Sequence, residues 1–265
     1  MHFFKTVKIV FDRIYSDYFM SSRLSEYENI IKQLVDSGYE FITLKEYCTK
    51  LKNNTLDNQK YLINRHDIDT DVSTAKEFFK IEKKYGVKGT YYFRLCTLDY
   101  QFMKELNEYG SEATYHFEEV AQYAKDNHIK QKEFIFENMD EIREIFKSNI
   151  LEIENKLNTK IETVASHGDF VNRGLQIINN EITNDKKLRE ELGITCEAYD
   201  KELMESVDIY VADKMYPEMW APKPIYEYIG KVDRIYMLTH PREWRVNIIE
   251  NTVDNIKRFY EGIKW

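Results

Sequence analysis

Apolar residues recur at helical spacing between Glu26 and Asp36, where Tyr27, Ile30, Ile31, Leu34 and Val35 form one stripe that Gly38 ends. Residues 39–42 follow as a strand, Thr43 is placed to cap a short helix through Leu51, and residues 53–58 form a polar loop. The apolar run Tyr61-Leu62-Ile63 starts a second strand that leads into Arg65-His66-Asp67-Ile68-Asp69. A helix is expected from Asp71 to Tyr85, with Ala75, Phe78, Phe79 and Ile81 inward and Gly86 at its end. Then come a strand at 90–95, a helix at 99–109 and a strand at 112–115, and this alternation is the signature of a parallel sheet. Residues 118–158 read as a long helical region broken near 127–131. Further strands are expected at 161–166, 194–197, 207–211 and 234–238, and a terminal helix at 246–264. The first two dozen residues read as an irregular, aromatic-rich start.

Seven or eight strands interleaved with helices suit a closed or nearly closed barrel. The expected class is α/β, a distorted (β/α)7-type barrel with mostly parallel strands. It fills one domain over residues 1–265, because no repeat, low-complexity tract or linker divides the chain.

Composition narrows the function classes. With 43% hydrophobic and 32% charged residues, 9 Gly and 4 Pro, the chain has the material for a core and is helix-rich rather than disordered. A net charge of -8, with lysines dispersed through Glu-rich helices, excludes a nucleic-acid footprint. No ~18-residue apolar run exists to span a membrane. Lys5, Lys8 and Asp12 interrupt the first apolar residues before a signal-peptide core can form. Cys48, Cys96 and Cys196 are widely spaced and lack a CxxC, which fits a reducing cytoplasm with three buried thiols. Tyr, at 20 residues, is common enough to suit a sugar-binding groove, although most such rings serve a core.

The chemistry concentrates at strand ends. Side chains at i and i+2 of a strand share a face, so Asp67 and Asp69 can converge on one point, where two carboxylates repel unless a cation or proton lies between them. A solvated loop, or Asp69 capping the following helix, is the simpler alternative. Four of the six histidines, His66, His116, His167 and His240, also fall at strand ends, where barrel active sites collect. His2 and His128 do not, and are expected at the surface. Zinc-like ions take imidazole and carboxylate ligands and keep a position open for water. Asp69, His116 and one further group could supply such a set.

The order Asp-x-Asp after a strand, Gly-Val-Lys-Gly-Thr-Tyr-Tyr-Phe (86–93), Glu-Ala-Thr-Tyr-His (112–116) and Leu-Thr-His-Pro (238–241) resembles the NodB-like polysaccharide deacetylases, carbohydrate esterase family 4, over about residues 25–244. Residues 27–47, a helix and then Gly-Tyr-x-Phe-Ile-Thr-Leu, look like a segment of divergent members. The resemblance implies a general-base Asp67, a metal-ligand Asp69, a metal-ligand His116 and a general-acid His240. Ile68 separates two acids that the family usually has adjacent. The second histidine of its second motif is replaced by Val120, which cannot bind a metal. His167, beside Gly168 and Asp169, is favoured as the replacement ligand, with the Glu118 carboxylate as the weaker candidate. Arg65, Trp220 and Trp244 are candidates for substrate contact, with Tyr226 a further aromatic wall, and Arg65 could instead tune Asp67.

The implied reaction is hydrolysis, assisted by a divalent metal, most simply Zn2+, of the N-acetyl group of an amino sugar or saccharide precursor in cell-surface polysaccharide metabolism. Hydrolysis of another small amide or cyclic imide is the alternative within enzymes. A non-catalytic saccharide-binding or pathway-complex protein with a degenerate metal site is the alternative outside them.

Overall fold

The strand that begins at Tyr61 outruns its apolar start: it continues to Ile68, and all eight of its residues are buried. The computed structural model, which describes residues 2–265 with side chains from Lys8 onward, shows why. The strands are β1 (Glu40–Ile42), β2 (Tyr61–Ile68), β3 (Thr90–Phe93), β4 (Glu112–Phe117), β5 (Thr163–Ser166), β6 (Cys196–Glu197), β7 (Ile209–Asp213), β8 (Trp220–Ala221) and β9 (Arg234–Thr239). They form one sheet in the order β6-β5-β4-β3-β2-β9-β7-β8. On one side β2 pairs with β9 along residues 61–66. On the other it pairs first with β1 at 61–63 and then with β3 at 65–68. With both edges occupied, its polar motif is held inside the sheet as regular strand.

Every pairing is parallel except β7 with β8. The class is therefore the expected α/β, a curled, mostly parallel sheet with helices. Among the described residues no pairing joins β6 to β8, so the barrel is open.

Strand periodicity sorts the core into layers. Tyr61 and Ile63 of β2 meet Ile42, Tyr92 and Tyr236 inside the curl. Leu62 packs outward beneath Tyr27, Ile30 and Phe78 of the helices Leu24–Asp36 and Val72–Tyr85. Ile68, Tyr91 and Phe93 extend that outer layer under Phe79, Phe102 and Met103. Full burial of each such side chain contributes about 1.5–3 kcal/mol.

Polar residues on the outer face are gathered too. Glu82 Oε1 accepts from the Tyr27 hydroxyl at 2.7 Å and Asn64 at 2.7 Å, and lies 2.8 Å from His66 Nε2, while its Oε2 accepts from the Tyr91 hydroxyl at 2.6 Å. His66 thus points away from the inner face and belongs to a satisfied structural cluster. A Cβ at Gly89 would lie 3.0 Å from the Asn64 carbonyl and 3.2 Å from His66 Nε2, so this close approach needs glycine.

Local signals set the helix ends. Thr43 and Glu46 form a reciprocal capping box, and Asp71, not Asp69, caps the helix Val72–Tyr85. Gly86 ends that helix in the left-handed conformation at φ 65°. The long helical region divides into Glu119–Asp126, Lys132–Glu137 and Met139–Leu157.

Two expectations are corrected. The start is helical, His2–Tyr18, not irregular. Its apolar Ile9, Phe11 and Ile14 are exposed while Ser16 and Asp17 are buried, an inversion that conceals the helix from hydrophobic patterning. The cysteines are not three buried thiols: Cys48 and Cys196 form a disulfide with Cα atoms 6.4 Å apart, and Cys96 is exposed. The pairing removes the cysteine argument for a reducing compartment. No described helix is long and apolar enough to cross a membrane.

Candidate metal and acid-base site

On the inner face, β2 carries Arg65 and Asp67, and the chain leaving it carries Asp69. The inner parity of β4 ends in His116, and that of β5 continues to His167, just past the strand. Three ligand atoms meet there. Asp69 Oδ1 lies 3.0 Å from His167 Nδ1 and 3.3 Å from His116 Nε2, and the two imidazole nitrogens are 3.2 Å apart. The three form a group able to hold a metal ion. Donors about 2.0–2.1 Å from a shared tetrahedral ion stand about 3.3 Å from one another, close to the sides of this triangle.

Electrostatics favour a cation at the same place. Asp69 Oδ1 is buried without a hydrogen-bond partner among the described residues, which is costly for an ionised oxygen. Burial raises the Asp69 carboxyl, but His167, His116 and His240 outweigh it and hold the group well below the usual carboxylate range. His116 Nδ1 lies 2.9 Å from the Ala165 carbonyl, which fixes a proton on Nδ1 and leaves Nε2 facing Asp69.

The weaker ligand candidate is committed elsewhere. Arg94 Nε and Nη2 donate to the Glu118 carboxylate at 2.7–3.0 Å, and the pair is buried. A second group of possible donors, Glu118, His167 and Asp169, has its charge already met. Arg94 neutralises Glu118, Lys125 lies 3.2 Å from Asp169, and Asp169 also caps the helix Phe170–Leu175. Val120, where the resemblance would have a histidine, is fully buried in the outer apolar layer. The imidazole beside His116 comes from a different strand.

Asp67 sits beneath the triad, 3.5 Å from His116 Nε2, and is 2% exposed. Arg65 grips it bidentately, Nε to Oδ1 at 2.7 Å and Nη2 to Oδ2 at 2.8 Å. Burial raises the Asp67 carboxyl, but Arg65, then His116 and His240, lower it below its ordinary value. Substrate contact by Arg65 is corrected. The side chain is fully buried, and its remaining donor capacity goes to the hydroxyls of Tyr236 at 3.1 Å and Tyr199 at 3.2 Å. Its guanidinium also stacks 4.5 Å from the centre of the Tyr199 ring. Arg65 holds Asp67 ionised and oriented.

His240 leaves β9 at the same end. Its Nδ1 lies 2.7 Å from Asp213 Oδ1, and its backbone N–H donates to Asp213 Oδ2 at 2.7 Å. Burial lowers the imidazole, but Asp213, with smaller help from Asp69 and Asp67, pushes it up to about 10. His240 is therefore a cation at neutral pH, with Nε2–H as its free donor.

Trp244 and Trp220 are also corrected as substrate walls. Trp244 is fully buried and donates Nε1–H to Asp213 Oδ2 at 2.8 Å, while Trp220 packs edge-on against it in the outer core and Tyr226 lies half-buried on the same cluster. The sequence reading missed Asp213 because it ended β7 at Val211. A carboxylate at the end of a strand was the signal available. Tyr199 follows β6 and carried no signal of its own. His128 is exposed as expected, and the side chain of His2 lies outside the described residues.

No family model and no curated protein matches the chain. Among solved structures it is similar to the Streptococcus pyogenes deacetylase PplD in complex with acetate, at 16% identity over 80% of each chain with a TM-score of 0.45. It is also similar to IcaB from Ammonifex degensii, at 15% identity over 68% of this chain and 78% of that one, TM-score 0.46. A third is BA3943 of Bacillus anthracis, a CE4 family pseudoenzyme, at 14% identity over 79% and 67% of the two chains, TM-score 0.42.

Proposed function

We infer that this protein is a divergent NodB-like, metal-dependent deacetylase that hydrolyses the N-acetyl group of an amino sugar or saccharide precursor. The reading rests on the ordered motifs from Asp67 to His240. The single observation that carries it is the triangle of Asp69, His116 and His167 lying between a buried carboxylate and a protonated histidine. In this reading Asp69, His116 and His167 hold the ion, with Zn2+ best suited to one carboxylate and two imidazoles.

When bound, the ion would polarise the acyl carbonyl and acidify water, whose pKa falls from ~16 toward ~7 in such sites. Asp67 takes the proton from the attacking water. A carboxylate kept ionised by Arg65 is a weak base, so it suits an acidified water and not a free one. His240, held protonated by Asp213, gives its proton to the leaving amine. Asp213 and Trp244 keep that imidazole aimed, and Arg94 keeps Glu118 from competing for the ion. The triangle argues against the degenerate-site alternative, since the donor that Val120 cannot supply is furnished by His167.

The test is acetate release from a panel of N-acetylated amino sugars and short oligosaccharides, with metal content measured on the same protein. Asp67→Asn is expected to keep its metal and lose at least about 100-fold in kcat, in the range removed with a general base. Breaking the pair with Arg65 will cost about 3–5 kcal/mol of stability, so the assay is run well below the variant's melting temperature. Full activity in Asp67→Asn excludes the assigned base. Wild-type protein that binds metal and releases no acetate from any member turns the reading toward another amide.

A further inference from the structure

The terminal helix Ile248–Lys264 is inside out. Its buried side is polar: Asn251 donates to the Asp17 backbone carbonyl at 2.8 Å, and Asp254 pairs with Arg242 and with Arg258. Its outward side is a row of Ile249, Val253, Ile256, Tyr260 and Ile263, each 56–75% exposed, widened on one flank by Ile248 and Phe259 at 58% and 72%. The steps along this row are four, three, four and three residues. That mean of 3.5 is the period of a seam that stays in register with a second helix. The first helix, joined to this one through Asp17, Tyr18 and Asn255, adds the exposed Ile9, Val10, Phe11 and Ile14.

We propose that this face is the self-association surface of the protein, taking a second copy of the chain with its terminal helix antiparallel across a two-fold axis near Ile256. The proposal is independent of the deacetylase reading.

Area and charge carry it. The seven exposed apolar side chains of the terminal helix present on the order of 800 Å² of surface, about what each partner of a stable interface buries. The largest apolar patch on a typical monomer is only about 300–600 Å². Glu250 and Lys264 flank the two ends of the row, both exposed, and Glu250 has no ion-pair partner among the described residues. An antiparallel copy sets Glu250 of each chain beside Lys264 of the other, twice by symmetry, and opposes the two helix dipoles. Lys257, near the axis, meets its own Glu261 at 3.7 Å, which offsets the approach of its symmetry mate. A lipid surface fits less well. Glu250 and Glu261 stand among the basic residues that flank the row, in a chain of net charge -8, which disfavours an anionic lipid surface.

Sedimentation equilibrium of the full chain over about 1–100 μM without detergent is expected to show a dimer. Ile256→Glu, at an exposed position, is expected to be monomeric with an unchanged circular dichroism spectrum. Glu250→Lys should weaken association roughly tenfold or more, and Glu250→Lys with Lys264→Glu should return it to within about threefold of wild type. A monomeric wild type, a dimer that survives Ile256→Glu, or a double variant no tighter than Glu250→Lys overturns the proposal. So does flotation of a monomer with phosphatidylcholine or phosphatidylglycerol vesicles, which would assign the face to lipid.

Discussion

Replacing Asp213 by Asn tests whether His240 is a proton donor set by its partner. In the native site one carboxylate oxygen faces His240 Nδ1 at 2.7 Å, and the other accepts from the His240 backbone at 2.7 Å and from Trp244 Nε1 at 2.8 Å. Asn removes the charge that is chiefly responsible for pushing His240 to about 10, so the imidazole returns toward its ordinary value of about 6.5. A general acid works only while protonated. At pH 8.5 the protonated fraction then falls from about 97% to about 1%, a loss of roughly 100-fold from titration alone, whereas at pH 6 the same change costs less than about twofold. The assay is acetate release, as kcat/KM, across pH 5.5–10. The basic limb of the profile should move down by about 3.5 pH units, while the acidic limb stays.

Linkage gives a second reading of the same variant. A histidine raised in the folded state contributes stability that is complete below its unfolded pKa of about 6.5 and is lost as pH rises through about 10. The wild type should therefore lose stability relative to Asp213→Asn across that window. The Asn amide can accept only on its oxygen, so it cannot satisfy all three donors while His240 is protonated, at a cost of about 1–3 kcal/mol. A basic limb that does not move in Asp213→Asn refutes the assignment of His240 as an acid tuned by Asp213.

Two further predictions concern the ion and the covalent link. His167→Ala should lower bound metal at least tenfold, while Glu118→Gln should leave stoichiometry near wild type because Arg94 already holds that carboxylate; elemental analysis of untagged protein purified without chelator decides, and equal losses in both would move the ligand assignment to Glu118. Cys48→Ser opens a link between residues 148 apart in sequence, whose chain-entropy value is about 5 kcal/mol as an upper limit. A lower urea midpoint is expected, matched by the wild type under reductant, and an unchanged midpoint in both would mean the link contributes nothing to stability.

Much of the fold was legible because its signals are local. The helix at Leu24–Asp36, the Thr43 capping box and the Gly86 stop follow from spacing, one hydroxyl and one flexible glycine. Strand alternation was enough to bring Asp67, Asp69, His116, His167 and His240 to the same end of a parallel sheet as candidates. Their grouping needed little beyond the rule that such sheets present the carboxyl ends of their strands together.

What stayed illegible depends on partners distant in sequence. Arg65 reads equally as a substrate contact or an internal counterion, and only the enclosure of β2 by β1, β3 and β9 makes it the second. Trp244 reads as a sugar platform until Asp213, 31 residues away, is seen to take its N–H. The terminal helices mislead for the opposite reason: their polar sides face this chain and their apolar sides face out, so amphipathicity marks a surface and not a core. The sequence by itself determined the element order, the parallel sheet and the donor types gathered at its carboxyl end, because each follows from near-neighbour spacing. Tertiary structure alone decided which carboxylates keep a free charge. Arg94 neutralises Glu118, Arg65 fixes Asp67, and Asp69 is left facing two imidazoles, because ionic pairing is set by distance in space.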